Sequence, residues 1–87
     1  MKLYVGNLAH VTTAAELRQA CASFGAVRSA RVIFDRETGR SRGFGFVEME
    51  TRSAGEEVIA GLNGTEFQGR KLRINEAHGR PESEAGK

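Results

Sequence analysis

Arg42-Gly43-Phe44-Gly45-Phe46-Val47-Glu48-Met49 alternates between two kinds of residue. A β-strand sends successive side chains to opposite faces, so Arg42, Phe44, Phe46 and Glu48 share one side while Gly43, Gly45, Val47 and Met49 share the other. The second set suits an apolar core. The first does not, because two aromatic rings there are flanked by a cation and a carboxylate. Some forty positions earlier, Lys2-Leu3-Tyr4-Val5-Gly6-Asn7-Leu8 alternates in the same way. Leu3 and Val5 point to one face and Tyr4 to the other before Gly6-Asn7 breaks the strand.

Working outward from these two strands, the intervening chain reads first as a helix. Thr13-Ala14-Ala15-Glu16 has the form of a capping box, Leu17, Cys21 and Phe24 recur at helical spacing, and Gly25 is the expected C-terminal cap. Residues 27–34 are rich in β-formers, with Val32 inward and Arg31 and Ile33 of opposite parity. Glu37-Thr38-Gly39-Arg40 then turns the chain, so residues 27–49 read as a hairpin. Ser53-Ala54-Gly55-Glu56 has the form of a second capping box. Val58, Ile59 and Leu62 follow it, Asn63-Gly64 closes the helix, and Gly55 and Gly61 weaken it. Lys71-Leu72-Arg73-Ile74-Asn75 alternates a last time, burying Leu72 and Ile74 and presenting Lys71, Arg73 and Asn75.

The element order is βαββαβ. With right-handed crossovers this order gives an α+β fold, a ferredoxin-like split βαβ with a four-stranded antiparallel sheet and two helices on one face. The first and third strands lie side by side in the middle, so Tyr4 neighbours Phe44 and Phe46. Burial cannot explain aromatics on the face the helices leave open. Residues 1–78 are expected to form this domain. Residues 79–87 contain no large apolar side chain, so they are expected to be a disordered C-terminal tail.

The two strand segments resemble the signatures of the RNA recognition motif family. The first matches its hexamer throughout. The second matches its octamer at every defined position but the last, where an aromatic is usual and Met49 stands. Met49 faces the helices, so this departure falls in the core, where methionine fills irregular gaps. The resemblance covers residues 2–77, and the chain is similar to small single-domain bacterial members of the family. It implies binding of single-stranded RNA, with bases stacked on Tyr4, Phe44 and Phe46, in post-transcriptional regulation. A cytoplasmic protein that is not an enzyme and needs no cofactor is expected. Arg42 resembles the family's basic residue that meets phosphate.

Physical chemistry supports that expectation independently. Every base has a π-face, so an aromatic platform gains about 1–3 kcal/mol per stacked base with little sequence demand. The base must first leave any duplex, which favours single strands. Single-stranded DNA remains a second ligand in vitro, since no side chain here is assigned to the 2′-OH. Arg31, Lys71 and Arg73 flank the rings, Lys2 precedes Tyr4, and Asn75, Glu48 and Ile33 share the open face as candidates to read base edges. Arg28, Arg36, Arg40 and Arg70 read as solvated surface. His10 reads as a loop residue, and His78 could stack on a nucleotide leaving the sheet. The competing use of the same surface, or of the helices, is as a protein–protein docking module.

Composition excludes other classes. The chain has 87 residues, which allows one domain, and a formal net charge of only +2 from 13 basic and 11 acidic residues. Distribution therefore matters more than the total. Basic residues crowd the strands and Glu16, Glu56 and Glu57 the helices, which predicts a positive face and an acidic back. The single Cys21 can form no internal disulfide and reads as a small packed hydrophobe. The chain has no apolar run of membrane length, and with its first strand beginning at Lys2 no leader is expected. Gly43-Phe44-Gly45 lies within a strand and lacks a third glycine, unlike a nucleotide-binding loop. His10 and His78 lack metal-ligand spacing. An open sheet offers no pocket for an acid/base pair, and a monomer is expected.

Overall fold

The computed structural model describes residues 1–77. The tail expected at 79–87 and the stacking role considered for His78 fall outside those residues. The strands and helices are β1 (Lys2–Gly6), α1 (Ala14–Ala22), β2 (Val27–Phe34), β3 (Ser41–Met49), α2 (Arg52–Leu62), β4 (Glu66–Phe67), β5 (Arg70–Lys71) and β6 (Arg73–Glu76). Four of the strands form an antiparallel sheet in the order β2-β3-β1-β6. Thus β1 and β3 are central, as the split βαβ topology requires.

Strand parity sorts the sheet. Leu3 and Val5 of β1, Val32 of β2, Val47 and Met49 of β3 and Ile74 of β6 are buried against Leu17 and Cys21 of α1 and Ala54 and Val58 of α2. Each fully buried aliphatic side chain contributes about 1.5–3 kcal/mol of transfer free energy. Cys21 is part of this layer, and burial pushes its thiol pKa up from its ordinary value to about 11.

The helix termini differ in detail from expectation. Thr13 caps α1 with a complete capping box, its Oγ1 accepting from Glu16 N at 3.2 Å and the Glu16 carboxylate from Thr13 N at 3.0 Å. Those bonds hold the Glu16 carboxyl below its ordinary pKa, with the backbone N–H of Thr13 the largest cause. The C-cap is Ser23, not Gly25. Nor does Ser53 start α2. Thr51 is its N-cap, accepting from Ala54 N at 3.1 Å, and because the third helical residue is Ala54 no carboxylate reaches back to complete a box. Gly55 and Gly61 also do more than weaken this helix. A Cβ at Gly55 would lie 2.9 Å from Met1 Cγ, and one at Gly61 would lie 2.6 Å from Phe24 Cζ. Their lost propensity, about 1 kcal/mol each, makes room for Met1 and Phe24 against the helix.

The last strand begins later than its alternation predicts. Lys71 belongs to a separate two-stranded ribbon, β4 with β5, whose turn residues Gln68 and Gly69 have φ of 53° and 87°. Positive φ at both positions characterises the tight hairpin turn whose twist matches its strands. The ribbon is tied to the body by Thr12, almost fully buried, which donates to Gln68 Oε1 at 2.6 Å. The outer rim of the sheet beside β6 is also occupied. Asn63, the C-cap of α2, accepts from Ile74 N at 2.9 Å, while Leu72 donates to Thr65 O and accepts from Gly64 N. At the opposite rim, β2 carries two register shifts, between Val27 and Ser29 and between Val32 and Phe34.

Candidate nucleic-acid interface

Register turns the uncovered face into a grid. β1 pairs Tyr4 with Phe46 and Gly6 with Phe44 on one side, and Tyr4 with Asn75 and Gly6 with Arg73 on the other; β2 pairs Arg31 with Phe46. One row across the four strands therefore reads Arg31, Phe46, Tyr4, Asn75. The row toward the β2–β3 loop reads Phe44, Gly6, Arg73, and the row away from it reads Ser29, Glu48, Lys2.

Three rings gather at the centre of that grid. Tyr4 and Phe44 lie 5.7 Å apart with planes 31° from each other. Phe46 stands more nearly edge-on to both, at 6.0 Å and 67° from Tyr4 and 6.0 Å and 90° from Phe44. The offset and edge-to-face contacts are favourable for aromatic quadrupoles and fix the rings without burying them. Gly6 sets the height of Tyr4. A Cβ there would stand 2.8 Å from Tyr4 Cε2 and 2.7 Å from Tyr4 Oη, so a larger residue would lift the ring off the sheet. The glycine between two signature positions thus lets tyrosine lie along its own strand.

Charge is distributed unevenly around the rings. Among the described residues, Arg31, Arg42, Lys71 and Arg73 make no ion pair. Arg42 lies at the start of β3 beside a hollow of about 470 Å³ lined also by Phe34, Asp35, Arg36 and Glu37. Asp35 Oδ1 accepts from Glu37 N at 2.8 Å and Thr38 N at 3.2 Å; these bonds first, and the charge of Arg42 after them, hold its carboxyl below the ordinary range. At the β6 side, Lys71, Arg73 and Asn75 line a second hollow, of about 390 Å³, with Asn7 and Asn63. Lys71 reaches this position from the ribbon rather than from the sheet. Lys2 sits apart from this group, its Nζ 5.6 Å from the centroid of Phe46.

The end of the sheet away from the β2–β3 loop is different. There Arg28 pairs with Glu50 at 3.4 Å and Glu48 at 3.9 Å. Acid is therefore not confined to the helical back where Glu16, Glu56 and Glu57 lie exposed. Arg52 on α2 likewise pairs with Glu56 and Glu76, at 3.3 and 3.4 Å.

The structure brings Tyr4, Phe44, Phe46, Lys2, Arg31, Arg73 and Asn75 onto one sheet face, and it places at the margins of that face two residues that the sequence reading does not single out. Asn7, with φ of 60°, donates to Lys71 O at 2.6 Å and accepts from Arg70 at 2.8 Å. It braces the ribbon against the end of β1. Phe34 is 53% exposed at the end of β2, beside Arg42. An aromatic next to a loop rich in arginine is the signal that would have found it. The described residues contain no cluster of three metal-ligating side chains, and none of their helices is long and apolar enough to cross a membrane.

Known proteins are similar to this chain in sequence and fold. A family model described as the RNA recognition motif matches residues 3–73. Glycine-rich RNA-binding protein 2, mitochondrial, of Arabidopsis thaliana is 50% identical over 80 residues, 92% of this chain and 51% of that protein. The chain thus spans about half of that relative's length. RbpE of Nostoc sp. is 45% identical over 86 residues, 99% of this chain and 85% of that one. Among solved structures, the crystal structure of RNA binding protein PG1 superposes with a TM-score of 0.89 at 55% identity, covering 94% of this chain and 99% of that one. A Sex-lethal protein/RNA complex superposes with a TM-score of 0.83 at 28% identity, covering 87% of this chain and 46% of that one.

Proposed function

The chain belongs to the RNA recognition motif family, and on that premise we propose that it binds single-stranded RNA through the open face of its sheet. Bases stack on Tyr4, Phe44 and Phe46. Arg31, Arg42, Lys71 and Arg73 neutralise phosphates, Lys2 meets the nucleotide beside Phe46, and Asn75 offers an amide to a base edge beside Tyr4. The observation that carries this reading is the cluster of three half-buried rings, 5.7–6.0 Å apart, on the sheet face opposite the two helices. An exposed apolar patch of that kind needs a partner, and unpaired cations around it favour a polyanion over a protein.

Stacking supplies affinity without reading sequence, while phosphate contacts position the strand and make binding sensitive to salt. One platform holds only a few nucleotides, so affinity is modest and the role is that of a binding module in post-transcriptional regulation, without chemistry of its own. A fluorescence-anisotropy titration with a short mixed-sequence RNA, its duplex and the matching single-stranded DNA tests the reading. The single-stranded RNA binds, and the duplex binds more weakly because its bases cannot reach the rings. Failure to bind any member of a pool of random short RNAs at low salt would overturn it.

A further inference from the structure

Glu48 is an unexpected residue on a surface built for a polyanion. It sits on the open face, two residues along β3 from Phe46 and directly opposite Lys2 of β1. A carboxylate there repels phosphate, so a role for it must come from something other than the RNA backbone. Its engagement within the protein is loose. Arg28 approaches Glu48 only to 3.9 Å and is closer to Glu50, at 3.4 Å. Lys2 is its cross-strand partner, yet the Lys2 ammonium lies over the Phe46 ring, 5.6 Å from its centroid, and not in an ion pair with Glu48. An acceptor-only carboxylate and a donor-only ammonium therefore stand side by side next to the ring on which a base would stack.

We propose that Glu48 and Lys2 together select guanine at the Phe46 position of the bound RNA. The proposal rests on the stacking reading given above and deepens it. A base arriving on Phe46 displaces the Lys2 ammonium from the ring face, and the ammonium moves to the base edge beside Glu48. Guanine matches the pair: its N1–H and N2–H are adjacent donors for the two carboxylate oxygens, and its O6, next to N1, accepts from Lys2. Adenine and cytosine each offer an amino donor but no second donor beside it. Uracil offers one N–H between two carbonyl oxygens that would face the carboxylate. Guanine alone allows the two-pronged, charge-assisted contact, which is the stronger kind. Arg28 stands on the outer strand 3.9 Å from the carboxylate, far enough to leave its oxygens open to the base edge.

The test is a set of short uridine-rich RNAs in which a single nucleotide is varied among guanosine, inosine, adenosine, cytidine and uridine at each position in turn, titrated against wild type, Glu48→Ala and Glu48→Gln. At one position, wild type prefers guanosine over every other base by roughly tenfold or more, the range set by a good bidentate contact. Inosine, which lacks the N2 amino group, loses most of that advantage. In Glu48→Ala the guanosine and uridine RNAs bind alike at that position, and Glu48→Gln, which keeps the size but not the second acceptor, also loses the preference. If wild type binds these RNAs without preferring guanosine, or if the preference survives in Glu48→Ala, the assignment fails while RNA binding by the sheet stands. If none of the RNAs binds, both fall together.

Discussion

The two sides of the central sheet are made by the same strands, one residue out of step, and they have opposite fates. Leu3, Val5, Val47 and Ile74 are almost fully buried, whereas Tyr4, Phe44 and Phe46 alternate with them and stay half exposed. On the covered side an apolar residue is consumed by packing, and its loss is felt as stability. On the open side an equally apolar ring is left unused by the fold and is available to a ligand. The difference teaches that in a two-layer domain parity separates stability from binding, so the two can be perturbed independently by changing neighbouring residues.

The sharpest way to break that separation is through Leu72, which is buried at the entry to β6. Leu72→Ala is expected to cost about 2–5 kcal/mol of unfolding free energy in a denaturant titration, as for other large-to-small core changes. The RNA affinity of the fraction that remains folded should hardly change. On the other side, Phe44→Ala and Phe46→Ala are each expected to weaken single-stranded RNA binding by about 1–3 kcal/mol while circular dichroism and melting stay near wild type. A Phe44/Phe46 double variant that binds as wild type does would dissolve the distinction.

Two smaller effects sharpen it. Thr51→Ala removes the observed cap of α2 and is expected to lower stability by about 1 kcal/mol, whereas Ser53→Ala, inside the helix, should cost little. Equal losses would restore the capping box expected from the sequence. Arg42→Ala is expected to reduce the slope of log affinity against log salt by about 0.7, one phosphate contact on a single strand. Phe44→Ala should instead lower affinity at every salt concentration with the slope nearly constant, since stacking releases no ions.

Much of this was legible in the chain because periodicity is a strong signal wherever an element has one buried face. The alternation in residues 2–6 and 41–49 located both central strands and assigned each ring to its face. The elements that escaped have no such period. Strands of two residues cannot alternate, so the β4–β5 ribbon was invisible, and its turn is built on Gln68-Gly69 where Asn-Gly would have announced it. Lys71 was consequently read into the sheet. At α2, the capping pattern at Ser53 fitted the sequence rule, but Thr51 offered the same hydroxyl two residues earlier, and the longer helix won. At the site, residue types predicted the rings and cations. The contact of Lys2 with Phe46 and the bracing of Arg70 by Asn7 depend on register between distant strands, which no local window contains.

The rims of the sheet carry a consequence for how the molecule behaves in quantity. An exposed strand edge is a template on which another chain can add a strand, and from there an aggregate can grow. Here Asn63 occupies the Ile74 amide on the β6 rim, the Leu72 amide and carbonyl are taken by Thr65 and Gly64, and two register shifts interrupt the β2 rim. The same fold that leaves three aromatic rings exposed thus occupies several of the groups through which a sheet edge recruits another strand. At these positions the addition of a further strand is hindered, while the flat face between the rims stays accessible.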